Sequence, residues 1–151
     1  MRRVLWTLGT AAALSGCTVF GTRSAPCTLA TADSSVAVAW RPADFGATDA
    51  ATLRLCVADR CAEQPSGEAD APYARLDVRL PDDIGAVTVP VRLRVTETAG
   101  GRVVVTDARD TRLTEEWPNG EPCGPVVWTA VYRADPVGGL GVVEGLSLGG
   151  D

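Results

Sequence analysis

Apolar and polar residues alternate one for one in run after run of this chain. Residues 35–40 set Val36, Val38 and Trp40 on one side, residues 52–57 oppose Leu53, Leu55 and Val57 to Thr52, Arg54 and Cys56, and residues 75–80 oppose Leu76, Val78 and Leu80 to Arg75, Asp77 and Arg79. Successive side chains of a strand point to opposite faces, so a period of two predicts strands with one buried face and one wet face. Residues 87–95 continue the pattern through Val89, Val91 and Leu93, with Pro90 on the outward side. Proline cannot donate to a ladder, which predicts an edge strand or a bulge at that point.

Turn signals separate the runs. Gly100-Gly101 between two β-branched stretches predicts an antiparallel hairpin. Residues 111–117 add a short candidate strand, residues 125–135 are apolar on nearly every position as a central strand would be, and residues 139–151 hold a weak last strand or a loose tail. About seven to nine short strands without a helical period predict an all-β, antiparallel, immunoglobulin-like β-sandwich. With 151 residues, 46% apolar and 22% charged, the chain has the composition of one globular domain.

The first residues follow a different rule. Arg2 and Arg3 precede an apolar run at 4–14, which as a helix rises only about 16 Å, too short for a hydrocarbon core of roughly 30 Å. This predicts a signal peptide over residues 1–16. Paired arginines also fit a twin-arginine export signal, although they serve equally as an ordinary positive start. The run ends in Leu14-Ser15-Gly16-Cys17. That tetrapeptide resembles the lipobox of bacterial lipoproteins, which implies diacylglycerol on Cys17, cleavage before it, and attachment to the outer face of the cell membrane. Two acyl chains hold a soluble domain stably where one does not. Residues 17–26 then read as the lipidated cysteine and a tether of at most roughly 30 Å, and residues 27–151 as the single sandwich domain.

Assigning Cys17 to lipid leaves Cys27, Cys56, Cys61 and Cys123, an even number suited to two disulfides in an oxidising compartment. A two-residue turn at Ala58-Asp59 would set Cys56 opposite Cys61 as a close, non-hydrogen-bonded pair; a four-residue loop over 57–60 brings the same two together. Cys27 and Cys123 pair by elimination. Cys27, Trp40 and Cys123 also resemble the immunoglobulin Cys–Trp–Cys pattern, but Glu121 stands where that pattern wants a tyrosine. Zinc needs closely paired cysteines or histidines and redox catalysis needs Cys-x-x-Cys, so no metal site is expected.

Composition narrows the chemistry. All 14 basic residues are arginines, histidine is absent, and the formal charge is −5; removal of Arg2 and Arg3 leaves 12 arginines against 19 acids, a balance of −7. An acidic domain without clustered arginines and stacking aromatics is not expected to bind nucleic acid. Without histidine or lysine there is no Ser-His, Cys-His or Schiff-base chemistry, so no catalytic residue is assigned. Asp44-Phe45-Gly46 and Gly138-Gly139-Leu140-Gly141 match nucleotide-site motifs by letters only. The remaining acids, Asp82-Asp83, Glu115-Glu116 and Asp107 with Asp110, are candidates for a glycosidase pair or a calcium site, but neighbours on a strand point to opposite faces. Trp117, in a Pro- and Gly-rich loop beside Cys123, is the candidate partner contact, against the simpler reading that it packs next to the disulfide.

Lipobox, short tether, alternating strands, the Cys56–Cys61 hairpin and the late 118–125 turn together resemble small lipoproteins of high-GC Gram-positive bacteria, a group with no assigned activity. The resemblance implies an envelope-facing β-sandwich and no cofactor beyond the lipid on Cys17. Three functions are consistent with it: an interaction module with an envelope protein or glycan partner, a small-ligand carrier with a pocket between the sheets, and a carboxylate-dependent hydrolase of envelope glycans. The first is the leading expectation.

Overall fold

Among the described residues the alternating runs become nine strands in two layers. The computed structural model describes residues 27–28, 30–121 and 123–143. Its strands are β1 (Ser35–Trp40), β2 (Ala51–Val57), β3 (Arg60–Pro65), β4 (Ala74–Arg79), β5 (Thr88–Glu97), β6 (Val103–Arg112), β7 (Thr114–Glu116), β8 (Val127–Asp135) and β9 (Gly139–Val142). One sheet has the order β4-β1-β8-β7 with β9 also on β8, and the other the order β3-β2-β5-β6. The expected signal peptide, Cys17 and the tether, together with residues 144–151, lie outside the described residues.

Burial follows the sequence period. Along β5 exposed and buried positions alternate from Thr88 to Val95, and β2 buries Leu53, Leu55 and Val57 completely. These meet Val36, Val38 and Trp40 of β1, Leu76 and Val78 of β4, and Tyr132, Ala134 and Leu140 of β8 and β9 in one core. Each fully buried Val or Leu contributes about 1.5–3 kcal/mol relative to exposure, as an upper bound. The space between the sheets is occupied by these side chains.

The antiparallel sandwich forms as expected, but Pro90 does not mark an edge strand. One pair within the sandwich is parallel: β1 runs beside β8 with Ser35 facing Thr129 and Ala39 facing Arg133. Parallel neighbours need a long connection, and the whole four-stranded sheet lies between β1 and β8 in the chain and supplies it. β5 is also an interior strand, paired with β2 on one side and β6 on the other. Pro90 is tolerated because β2 ends at Val57, opposite Val91; beyond that point the Pro90 carbonyl accepts the Ala58 N–H at 2.9 Å, and no N–H is demanded of the proline. The register shift of β5 lies in its pairing with β6, at Val95/Thr96.

Buried polar groups tie strand ends together. The Trp40 Nε1–H donates to the Ser66 carbonyl at 2.8 Å, while the Ser66 N–H donates to the Ala51 carbonyl at 2.7 Å, so one serine joins the ends of β1 and β2. Ser34, fully buried, accepts the Trp128 N–H on its hydroxyl at 3.0 Å and the Leu80 N–H on its carbonyl at 2.8 Å. Leu113, also buried, lies at the point where the chain leaves one sheet as β6 and enters the other as β7.

Candidate functional site

The start of the domain is clamped to the β7–β8 loop. Cys27 and Cys123 are disulfide-bonded across 96 residues. Both lie outside the strands, so this bridge does not join the two sheets as an immunoglobulin cystine would. Asn119 reinforces it: its Oδ1 accepts the Ala30 N–H at 2.8 Å and the Thr28 hydroxyl at 2.9 Å, and its Nδ2 donates to the carbonyls of Ala30 and Gly124, both at 3.2 Å. Nothing in the sequence marks Asn119, since Thr28 and Ala30 lie about ninety residues away and only the folded loop brings them to it. Trp117, the candidate partner contact, is half-buried in this loop and its carbonyl accepts the Gly120 N–H at 2.8 Å.

The second disulfide lies on an outer sheet face. Ala58 and Asp59 form the two-residue turn, Ala58 with φ 51°, and Cys56 is bonded directly opposite Cys61. Thr52, Arg54 and Cys56 share this outward face with Arg92, Arg94 and Thr96 of β5 and Thr106 of β6, because their in-line neighbours are the buried core positions. Together they line an open groove of about 680 Å³. The register sets Arg54 directly against Arg94 and Cys56 against Arg92. Glu63 stands 3.5 Å from Arg54, and Arg92 donates to the Ala58 carbonyl at 3.4 Å. Among the described residues, Arg92 and Arg94 have no carboxylate within 4.0 Å. Like charges directly opposite on a sheet are destabilising, so this face carries an electrostatic cost.

The chain matches no protein-family model, no curated protein and no solved structure. Its candidate sites therefore rest on their own geometry.

The candidate acidic groupings do not converge. Asp107 and Asp110 separate: Asp110 is exposed beside Pro90, whereas Asp107 turns toward β9 and accepts the Leu140 N–H at 2.7 Å. That backbone bond first, then Arg109 at 3.2 Å and the Ala108 N–H, hold the Asp107 carboxyl below its ordinary range. Arg109 in turn lies over the Tyr132 ring, 5.4 Å from its centroid, and the Tyr132 hydroxyl meets Thr111 at 2.6 Å. β6 thus sends polar side chains inward where β2 and β5 send apolar ones, and they close the gap toward β8 and β9. Asp82 is 3.9 Å from Arg79, and Glu115 and Glu116 face Trp128 and Val127 at successive register positions, hence opposite faces. Among the described residues no group of three or more His, Cys, Asp or Glu is placed to hold a metal ion.

The Asp107 contact depends on a glycine. Gly139 has φ +70°, and a Cβ there would lie 2.6 Å from the Asp107 Oδ2 and 2.7 Å from its Cβ. Gly139→Ala is expected to push Asp107 off the Leu140 N–H and to destabilise the domain by about 2 kcal/mol or more. Gly138→Ala, whose Cβ would meet nothing nearer than the Asp135 Oδ1 at 3.5 Å, should change the thermal midpoint little. Equal midpoints for the two variants would show that the β6–β9 contact carries no such constraint.

Proposed function

We propose that this chain is an extracytoplasmic, lipid-anchored interaction module: diacylglycerol on Cys17 holds it at the outer face of the cell membrane, residues 18–26 act as a short tether, and the sandwich is presented to a protein or glycan of the envelope. The observation that supports this reading most is the clamp at Cys27. A tethered domain is pulled at the residue where the tether enters the fold, and here that residue is bonded covalently to Cys123 and backed by the four hydrogen bonds of Asn119. A disulfide there also fits an oxidising compartment, which is where a lipobox would deliver the domain. The packed space between the sheets favours recognition on an outer face over an enclosed small-ligand pocket, and the divergent carboxylates favour binding over glycan hydrolysis.

Metabolic labelling with a fatty-acid analogue, followed by membrane fractionation, tests the anchor. The wild-type chain is expected to carry the label and to sediment with membranes; Cys17→Ser should lose the label and leave the membrane fraction. An unlabelled wild type, or label retained by Cys17→Ser, would overturn the anchoring.

A further inference from the structure

We infer that the arginine groove on the outer face of the β3-β2-β5-β6 sheet is a binding site for a phosphate group on a water-soluble ligand. The inference deepens the interaction-module reading and rests on it, since it names the chemistry that the presented domain recognises.

Three guanidinium groups reach this groove from two strands. Arg54 and Arg94 are directly opposed in register, and Arg92 is two residues along β5 from Arg94. Directly opposed Cβ atoms are about 5 Å apart and an i, i+2 step is about 7 Å. Side chains as long as arginine therefore cover one common area. Folding alone does not explain placing them there. An opposed Arg–Arg pair costs stability; among the described residues Glu63 is the one acid within 4.0 Å of the three, it engages only Arg54, and that contact is long at 3.5 Å with both side chains more than half exposed. An anion in the groove would convert the repulsion into binding.

The number of donors selects the anion. One planar guanidinium fork already satisfies both oxygens of a carboxylate. Three forks around one area match an acceptor with more oxygens and more charge, and a phosphate monoester, with a charge of about −1.5 to −2 near neutral pH, is such a group. Thr52, Thr96 and Thr106 add hydroxyls at the groove for the atoms that carry the phosphate.

The surroundings select a discrete ligand over an anionic bilayer surface. Glu63 and Asp110 stand around or beside the arginines, Glu97 at the groove is paired with Arg102, and the chain as a whole carries −5. Charges separated by more than about 8 Å are largely screened at physiological salt, so a single phosphate in the groove responds chiefly to the arginines around it. A broad anionic sheet of headgroups meets the acids as well. The overall acidity that disfavours nucleic acid and membrane surfaces is thus compatible with local phosphate recognition.

Calorimetric titration of inorganic phosphate into the purified mature protein in neutral detergent tests the site, with acetate at matched ionic strength as the comparison. The expected result is one saturable phosphate site per chain, no saturable acetate binding, at least a tenfold loss of affinity in Arg94→Ala and in Arg92→Ala, and a gain of a few fold in Glu63→Gln. Arg94→Ala should melt no lower than wild type, since it removes an opposed like charge, which separates lost binding from lost folding; Arg94→Gln is the second variant if alanine disturbs the strand. Absence of phosphate binding, equal binding of acetate, or unchanged affinity in both Arg94 variants would overturn the site. So would binding to phosphatidylglycerol vesicles that exceeds binding to phosphatidylcholine vesicles only when Arg94 is present, because that would assign the groove to a lipid surface. The anchor is read by the fatty-acid label on Cys17, so failure of the phosphate site leaves that result standing, and failure of the label leaves this one.

Discussion

Replacing Cys27 and Cys123 together by serine should lower the unfolding free energy by about 4–5 kcal/mol, the largest loss expected from any single alteration of this domain. The bridge closes a loop of 96 residues, nearly the whole folded region, and a cross-link removes more freedom from the unfolded chain the longer the loop it closes. The Cys56–Cys61 bridge closes a separation of only 5, for which the same chain-entropy reasoning gives about 2 kcal/mol. The two double serine variants therefore form an internal comparison. Denaturant unfolding should place the Cys27/Cys123 variant well below the Cys56/Cys61 variant, and the reverse order would show that native contacts, rather than the restricted unfolded chain, set the value of these staples. Mass spectrometry should find neither pair as free thiols in the native protein. Because the long bridge is also where the tether enters, its loss should let residues 27–30 detach from the 117–125 loop, leaving Asn119 as their remaining link.

Trp40→Ala should cost about 3–5 kcal/mol and lower the thermal midpoint by about 10 °C or more. Trp40 is 2% exposed, among the largest side chains in the core, and its indole N–H holds the buried Ser66 carbonyl. Truncation leaves both a cavity and an unpaired carbonyl in a place water reaches poorly. Trp40→Phe separates the two losses: it keeps much of the apolar volume and removes the N–H, and should cost about 1–3 kcal/mol. A Trp40→Phe variant as unstable as Trp40→Ala would assign the effect to the hydrogen bond, and one as stable as wild type would assign it to packing.

The strands and their faces were legible because they are local. A residue at i+2 in a strand faces the same way whatever lies beside it, so Val36, Val38 and Trp40, or Leu53, Leu55 and Val57, could be placed on a buried face before any partner was known. The Cys56–Cys61 pair was legible for the same reason, since a two-residue turn dictates its own register. Pro90 misled because its tolerance depends on where a different strand ends: β2 stops one pair short of it. Asp107 was legible only as an acid. That it points inward, toward Leu140, follows from the way β6 meets β9, and a strand that sends Asp107, Arg109 and Thr111 to its inner face breaks the pattern by which faces are read.

By itself, then, the order of residues determined that this chain makes short strands, which side of most of them is buried, and which cysteines are bonded. It also supplied the grounds for expecting a lipid on Cys17. Tertiary structure decided that β1 lies parallel to β8, that Asn119 fastens the entry of the chain, and that Arg54 stands against Arg94 to form a cationic face on an acidic domain. The division has one physical cause. Side-chain direction and turn register are set by a few neighbouring dihedrals, whereas partner choice between strands forty or ninety residues apart is set by how the buried faces pack. A site assembled from two strands exists only after that choice is made.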